Sequence, residues 1–516
     1  MIALAKLGLC VALFVNCINC ARILGVFPLP WGSHYILGTK LLRGLAEAGH
    51  DITMITPYRY KETPTNGSWT DILLDGAEGK LPVPNQNELF QVGQKNFIEQ
   101  YYMYLNWLTA TSNITLNHPN VQALINSNAT FDAVIVGNMM AEAQFILAHI
   151  FECPLILLST VGPNGATNEK AGNPSPASTI PNFFMQFEDK HMMTLKERFW
   201  NTIYYIVGHY YMHSEQIPRN GRILQETFPD LPNIYDIYYN VSLILLNSHL
   251  SYTGAVPLAP NMIEIGGYYI DPPKKLPKDL QDFLDDAKDG AIYFSMGSHL
   301  KSDIMPEEKK KIFLNVFKKL KQKVLWKLEV DLPEKSKNVF IGKWMPQQEI
   351  LAHPNVKLFI THGGLLSTSE AIYNGVPLLI MPLFGDQKTN AAQAVKNGYG
   401  LRLSFHTLTE TDLSNAVQEL LYNKTYTEAI RKTSELFLDR PMSPLETAIY
   451  WVEYVIRHKG APHLKVPGVG IDWYKYYNLD IYAIVLVVVS LFLYGLSFLI
   501  KSVIRFIRGS RKIKIS

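Results

Sequence analysis

The sequence predicts an α/β protein of two doubly wound domains in series, facing a cleft, followed by one C-terminal membrane-spanning helix. Three observations carry that reading. Continuous apolar runs bounded by turns alternate with helical stretches, the pattern of a parallel sheet buried on both faces. At 516 residues the chain exceeds one ordinary core and accommodates two domains of about 200 residues each. Ile481 to Ile500 is an uncharged apolar run, long enough to cross a hydrocarbon core of about 30 Å.

Taken in order, Met1 to Cys20 (residues 1–20) reads as a signal peptide, a short apolar run ending in small residues and carrying only Lys6 as a charge. Cleavage there leaves Cys153 alone in the mature chain, so no internal disulfide is expected, and no Cys/His cluster stands at zinc spacing. The first domain (residues 21–270) opens with the strand-like RILGVFP, the turn LPWGSH and a helix from Tyr35 to Ala48, closed by Gly49 as a C-cap. DITMITP, FDAVIVG, PLILLS and SLILLNS continue the strand series. A proline-rich linker (271–285) precedes the second domain (286–440), whose strand-like runs are AIYFSMGS, KVLWKLE, NVFIGKW, VKLFITH and VPLLIMP. Residues 441–478 read as helices returning toward the first domain and the membrane.

The span at 481–500 is followed by a basic tail (501–516) holding Lys501, Arg505, Arg508, Arg511, Lys512 and Lys514, with Trp473, Tyr474 and Tyr482 as interfacial anchors. The positive-inside rule then places the tail in the cytosol and the body in the lumen, a single-pass type I arrangement. Asn66, Asn113, Asn128, Asn240 and Asn423 each begin an Asn-X-Ser/Thr triplet and are candidate N-glycosylation sites of a lumenal body. The tail accounts for the whole net charge of +3, which argues against nucleic acid as a partner.

Three turns after strands converge in the second domain: Gly297-Ser298, Trp344-Met345-Pro346-Gln347, and THGGLLSTSE from Thr361 to Glu370. Ligands of open α/β sheets bind at the carboxyl ends of strands. Glycines at 363 and 364 let the backbone approach a ligand, and the helix that follows aims free N–H groups at a pyrophosphate without a metal.

These turns, with PLLIMPLFGDQ (Pro377–Gln387) and RPMSPLETAIYW (Arg440–Trp451), resemble the UDP-glycosyltransferase family, and HGGLLSTSEAIYNGVP looks like its insect, membrane-bound branch. The resemblance covers most of the chain and implies a GT-B fold of two Rossmann-like domains. It implies that Trp344 stacks on the uracil with Gln347 beside it, and that Glu370 holds the ribose hydroxyls. Ser298, His362, Gly364 and Ser367 would hold the diphosphate, and Asp386 and Gln387 the sugar. Where relatives often carry Asn four residues after the histidine, this chain has Leu366.

An acceptor hydroxyl must lose its proton as it attacks the anomeric carbon, work suited to a histidine. His34 lies at the carboxyl edge of the first strand, and the resemblance makes it the general base. Relatives pair this base with an acid at the end of the strand corresponding to FDAVIVG; here that position is Gly137, followed by Asn138. Glu142 is the nearest downstream substitute, whereas Asp132 sits at the opposite end of the strand.

Pro163 to Ser214 is dense in Met, Phe, Trp and Tyr, the composition of a pocket for flat apolar molecules or of an amphipathic helix packed on the sheet or the membrane. The expectation is inverting, metal-independent transfer of glucose from UDP-glucose, with no cofactor, to a small lipophilic acceptor in the endoplasmic reticulum, in a detoxifying role. UDP-glucuronate is the alternative donor, with Lys327 at the place where a cation for its carboxylate would stand. A catalytically silent membrane protein that binds UDP-sugars or lipophiles is the competing class. A glycosidase lacks a carboxylate pair and leaves the donor signature unexplained. Homo-oligomerisation is left open.

Overall fold

The computed structural model describes residues 20–77, 80–81, 86–182, 185, 193–228, 230, 232–297 and 304–513. The signal-peptide reading up to residue 19 and the site residue Ser298 lie outside them. The chain forms two compact units, 1–466 and 467–516.

The first unit holds two parallel sheets. One is built from β1 (Arg22–Val26), β2 (Asp51–Thr56), β3 (Ser68–Leu73), β4 (Ala133–Gly137), β5 (Leu155–Ser159), β6 (Val241–Leu246) and β7 (Met262–Glu264), in the order β3-β2-β1-β4-β5-β6-β7. The other contains β8 (Ala291–Ser295), β9 (Lys323–Lys327), β10 (Val339–Gly342), β11 (Val356–Thr361), β12 (Leu378–Ile380) and β13 (Gly400–Arg402), in the order β10-β9-β8-β11-β12-β13. In each sheet the strand order reverses beside the first strand, and that switch point opens a crevice at the carboxyl ends. The central strands β5, β6 and β8 are buried at every position, as their uninterrupted apolar runs require.

The helices that matter for the site are α1 (Gly32–Glu47), α2 (Phe97–Leu116), α3 (Gly165–Ala171), α4 (Leu195–Tyr211), α5 (Ile217–Thr227), α6 (Gln347–Leu351), α7 (Leu365–Asn374), α8 (Gln387–Lys396), α9 (Pro444–Arg457) and α10 (Leu479–Ile513). The first helix starts at Gly32 rather than Tyr35, which puts His34 in its first turn. Its seat is tight. A Cβ at Gly25 on β1 would lie 2.3 Å from Leu42, and one at Gly38 would lie 2.6 Å from the Phe27 ring. Only glycine lets the strand, its loop and the helix approach this closely.

The two halves exchange segments. Leu89, Phe90 and Val92, from the chain between β3 and α2, are buried in the core of the second sheet. In return, Ala448, Val452 and Val455 of α9 are buried against the first sheet beside Leu41 and Leu45. Tyr269 donates its hydroxyl to the Leu366 carbonyl at 2.8 Å, and the Leu366 side chain packs on the first domain's core. The residue found in place of Asn is thus an interdomain contact.

In the second unit α10 is a continuous 35-residue helix. Its segment Leu479–Arg508 contains an 18-residue window of mean hydropathy 2.7 and is long and apolar enough to cross a membrane. The helix does not stop at Ile500 but carries Lys501, Arg505 and Arg508 on further turns.

Candidate active site

The carboxyl ends of β8, β10 and β11 bring the donor residues together. After β11, His362 is followed by Gly363 at φ +84° and by Gly364, the N-cap of α7. The imidazole lies between two glycines: a Cβ on Gly297 would sit 2.6 Å from the ring, and one on Gly364 would sit 2.7 Å from it. Both glycines are therefore required for the ring to occupy this place.

Glu370, one turn into α7, is buried, and its carboxylate is clamped by the first turn of α6. Gln347 donates to one oxygen at 2.6 Å and Gln348 to the other at 3.2 Å. Gln347 also donates to the Ser367 hydroxyl at 3.0 Å. Burial pushes the Glu370 carboxyl up to about 7, against the two amide bonds that pull it down. Trp344, on the loop before α6, is 73% exposed, its ring free to cover a ligand at the mouth of this clamp.

Asp386 reaches the start of α7: its Oδ2 accepts the Leu365 N–H at 3.1 Å, one of the amides that a helix leaves unpaired, and the Asn390 amide at 2.8 Å. Burial raises its carboxyl above the usual range. Gln387 spends its carbonyl oxygen on the Leu383 and Phe384 N–H groups, at 2.8 and 3.1 Å, leaving its amide nitrogen to meet a ligand. Lys327, at the end of β9, donates to Glu329 at 2.7 Å and to the Gly297 carbonyl at 3.2 Å.

In the first domain His34 sits edge-on to Trp31, ring centroids 5.1 Å apart, with the Ser33 hydroxyl 3.4 Å from its Nδ1. Glu142, the expected orienting acid, has other partners in the structure. The turn carrying Glu142 points into the core, where one carboxylate oxygen accepts from Lys170 at 3.2 Å and Gln216 at 2.7 Å, and the other from Asn220 at 3.1 Å. Both oxygens have partners, and one of them faces the buried Lys170 ammonium. Asp132 accepts the Arg22 N–H at 2.7 Å, at the amino edge of the sheet. Gly137 has room: a Cβ there would meet the Phe27 ring at 3.4 and 3.5 Å, ordinary contacts.

Known proteins resemble the chain along most of its length. Residues 29–513 match the family described as UDP-glucoronosyl and UDP-glucosyl transferase. The chain belongs to the family 1 UDP-glycosyltransferases. UDP-glycosyltransferase UGT5 of Dactylopius coccus is 37% identical over 486 residues, which cover 93% of this chain and 92% of that protein. UDP-glucuronosyltransferase 1A10 of Homo sapiens is 31% identical, over 93% of this chain and 92% of its own. A solved UDP-glucose: anthocyanidin 3-O-glucosyltransferase in complex with UDP superposes with a TM-score of 0.56 at 16% identity, covering 86% of this chain and all of that one. That likeness is one of fold, the GT-B arrangement of two parallel α/β sheets.

A UDP-glycosyltransferase takes a UDP-sugar as donor, and three further residues stand beside the residues expected to hold it. Gln348 holds Glu370 from beside Gln347. Asn390 joins Asp386 to the Gly363 carbonyl, at 2.8 and 2.9 Å, and stands one helical turn after Asp386, a spacing readable in the sequence. Tyr104 comes from α2 in the other domain; its hydroxyl lies 3.9 Å from where a Cβ of Gly385 would be. Burial and the charge of Asp386 raise its phenol. No sequence pattern signals Tyr104, because it is separated from Asp386 by most of two domains.

Toward the acceptor side, α4 leaves Leu195, Phe199, Trp200, Ile206 and Tyr210 exposed and buries only Asn201. Four of the five candidate glycosylation asparagines, Asn66, Asn113, Asn128 and Asn240, are exposed, and Asn423 is half-buried where it caps the helix that begins at Lys424.

Proposed function

We propose that this UDP-glycosyltransferase transfers glucose from UDP-glucose, with inversion and without a metal in the transfer step, to the hydroxyl of a small lipophilic acceptor. His34 takes the acceptor proton while the second domain holds the UDP leaving group. The observation that carries the reading is the seat of His34 in the first turn of α1, at the carboxyl end of the central strand β1. The crevice at the switch point opens there. Trp344 supplies a face for the uracil, Glu370 accepts the ribose hydroxyls, and Asp386 with Gln387 meets the sugar. The pairing of Lys327 with Glu329 supports glucose over glucuronate, since that ammonium already has a carboxylate partner.

The silent reading keeps one observation in its favour: both oxygens of Glu142 are committed elsewhere, and Gly137 offers no acid. Full-length protein in microsomes, assayed with UDP-glucose and UDP-glucuronate against a panel of phenols by mass spectrometry, separates the readings. Glucoside formation dependent on His34 is expected. UDP binding without turnover on any pair would instead establish the silent class.

For location we propose the endoplasmic reticulum membrane, with α10 spanning it, the body in the lumen and the tail in the cytosol. The apolar length of α10 and the positive charge that follows it support this orientation. A glycosidase-sensitive gel mobility that is lost on Asn→Gln substitution at the five triplets is expected; no glycosidase-sensitive mobility in the parent chain would overturn the lumenal placement.

A further inference from the structure

His209 on the last turn of α4 and His213 just beyond it stand four residues apart, a spacing that places two imidazoles on one helical face. The helix then widens into a π-type turn over Met212–Gln216 before α5 begins, a distortion that commonly accompanies a functional position. Facing them from α3 is Glu169. One ligand atom from each of the three lies within 4.8 Å of the other two. The Glu169 Oε1 is 2.7 Å from His213 Nε2, and Oε2 is 3.4 Å from His209 Nδ1. The two rings have centroids 4.3 Å apart. Tetrahedral zinc, at about 2.0–2.2 Å from nitrogen and oxygen, holds its donor atoms roughly 3.3 Å from one another. Small side-chain rotations bring these three to that spacing.

The surroundings are those of a supported ligand set. His213 Nδ1 lies 3.4 Å from the Tyr235 hydroxyl, and the Tyr235 ring is stacked on the imidazole at an interplanar angle of 6°. The Tyr239 hydroxyl donates to Glu169 Oε1 at 3.0 Å. Such outer contacts fix ring orientation and raise ligand basicity. Among the described residues this is the group that brings three metal-ligating side chains together. None of its members belongs to the elements that build the donor half-site.

We propose that Glu169, His209 and His213 form a divalent transition-metal site, best suited to zinc, with a fourth position left for water. Two imidazoles and a carboxylate are a borderline donor set that selects zinc over calcium or magnesium. The ion ties α4 to α3. The ion would add to the holds α4 already has, the hydrogen bonds of its buried Asn201 and the packing of Tyr204 and Tyr211 on rings of α2. The neighbouring residue on α3, Lys170, is the partner of Glu142, so the ion anchors the same helix that the buried ion pair secures. The site is structural and takes no part in the transfer.

The test uses full-length protein in detergent without a polyhistidine tag. Stripped protein is titrated with zinc and with cobalt, and metal content, cobalt visible absorption and thermal unfolding are recorded. Expected are one equivalent of zinc retained, a cobalt spectrum of low-coordinate type, and a rise in Tm on zinc addition. All three should be lost in the double variant His209→Ala/His213→Ala. If that variant does not fold, Glu169→Gln keeps the side-chain volume and should weaken zinc by at least about tenfold. The proposal is overturned if the stripped parent takes up no zinc at micromolar concentration. It is equally overturned if uptake and Tm shift are undiminished in the folded variant, and the cluster is then a hydrogen-bonded His–Glu–His group alone.

Discussion

The two halves of the body meet their chemistry differently. In the second domain the donor residues fall in three short stretches, and each polar group finds its partner within that domain: Gln347 and Gln348 on Glu370, Asn390 on Asp386. In the first domain the proposed base, His34, has Trp31 and Ser33 beside it, and the acid expected to orient it lies on a distant segment. The nearest acid downstream of Gly137, Glu142, is held by Lys170, Gln216 and Asn220. A half-site recognising a constant group can be encoded locally, because its geometry never changes. A half-site for a variable acceptor is assembled from dispersed segments, and its polar residues also serve the core.

The largest effect expected from this contrast is on turnover. His34→Ala should lower kcat by about 10²–10⁴-fold and leave the affinity for UDP unchanged, as measured by product formation and by titration. UDP-sugar-dependent turnover that survives the substitution would break the division of labour. Glu142→Ala should act on the first domain's stability instead. It leaves the Lys170 ammonium buried without its carboxylate, a loss of about 3–5 kcal/mol readable in denaturant unfolding. A folded Glu142→Ala enzyme with intact stability but lost activity would return Glu142 to the catalytic machinery.

Trp344→Ala should weaken UDP-glucose binding by about 1–3 kcal/mol, the worth of one stacked base, with little change in Tm because the side chain is exposed. A smaller effect is expected from pH. The Glu370 carboxyl is raised to about 7 in the free protein, so it is largely protonated at pH 5.5. Ribose hydroxyls donate to the ionised form, and binding at low pH must therefore expel a proton. Affinity for UDP-glucose should rise about tenfold between pH 5.5 and 8, and Glu370→Gln should flatten the profile. A flat profile in the parent would remove Glu370 from ribose recognition.

The contrast also explains what could be read from the sequence. The strand runs gave both sheets, because residues buried on two faces must be continuously apolar. Gly363 and Gly364 flagged the donor turn because a close ring and a positive φ leave no other choice. Gln348 was hidden by its neighbour Gln347, since nothing in a pair of glutamines says which one turns toward a carboxylate; in the structure both do. The partners of Glu142 are not legible from the sequence, because distance along the chain is a poor guide inside a core. Lys170, one of them, lies on a helix 28 positions on. His209 and His213 are an H-x3-H pair with no third ligand near in sequence; only the fold, through α3, brings Glu169 to them.

The exchange of segments between the two sheets bears on how such enzymes are recombined. A junction placed at the proline-rich linker cuts Leu89, Phe90 and Val92 away from the core they fill, and strands α9 with a foreign partner. A Cβ on Gly93 would lie 1.7 Å from the Leu383 carbonyl oxygen, so even that crossing point tolerates no foreign side chain. Chimeras that move acceptor preference between relatives should carry α9 with the N-terminal half. They should also keep the Leu89–Gly93 segment matched to the recipient's second sheet.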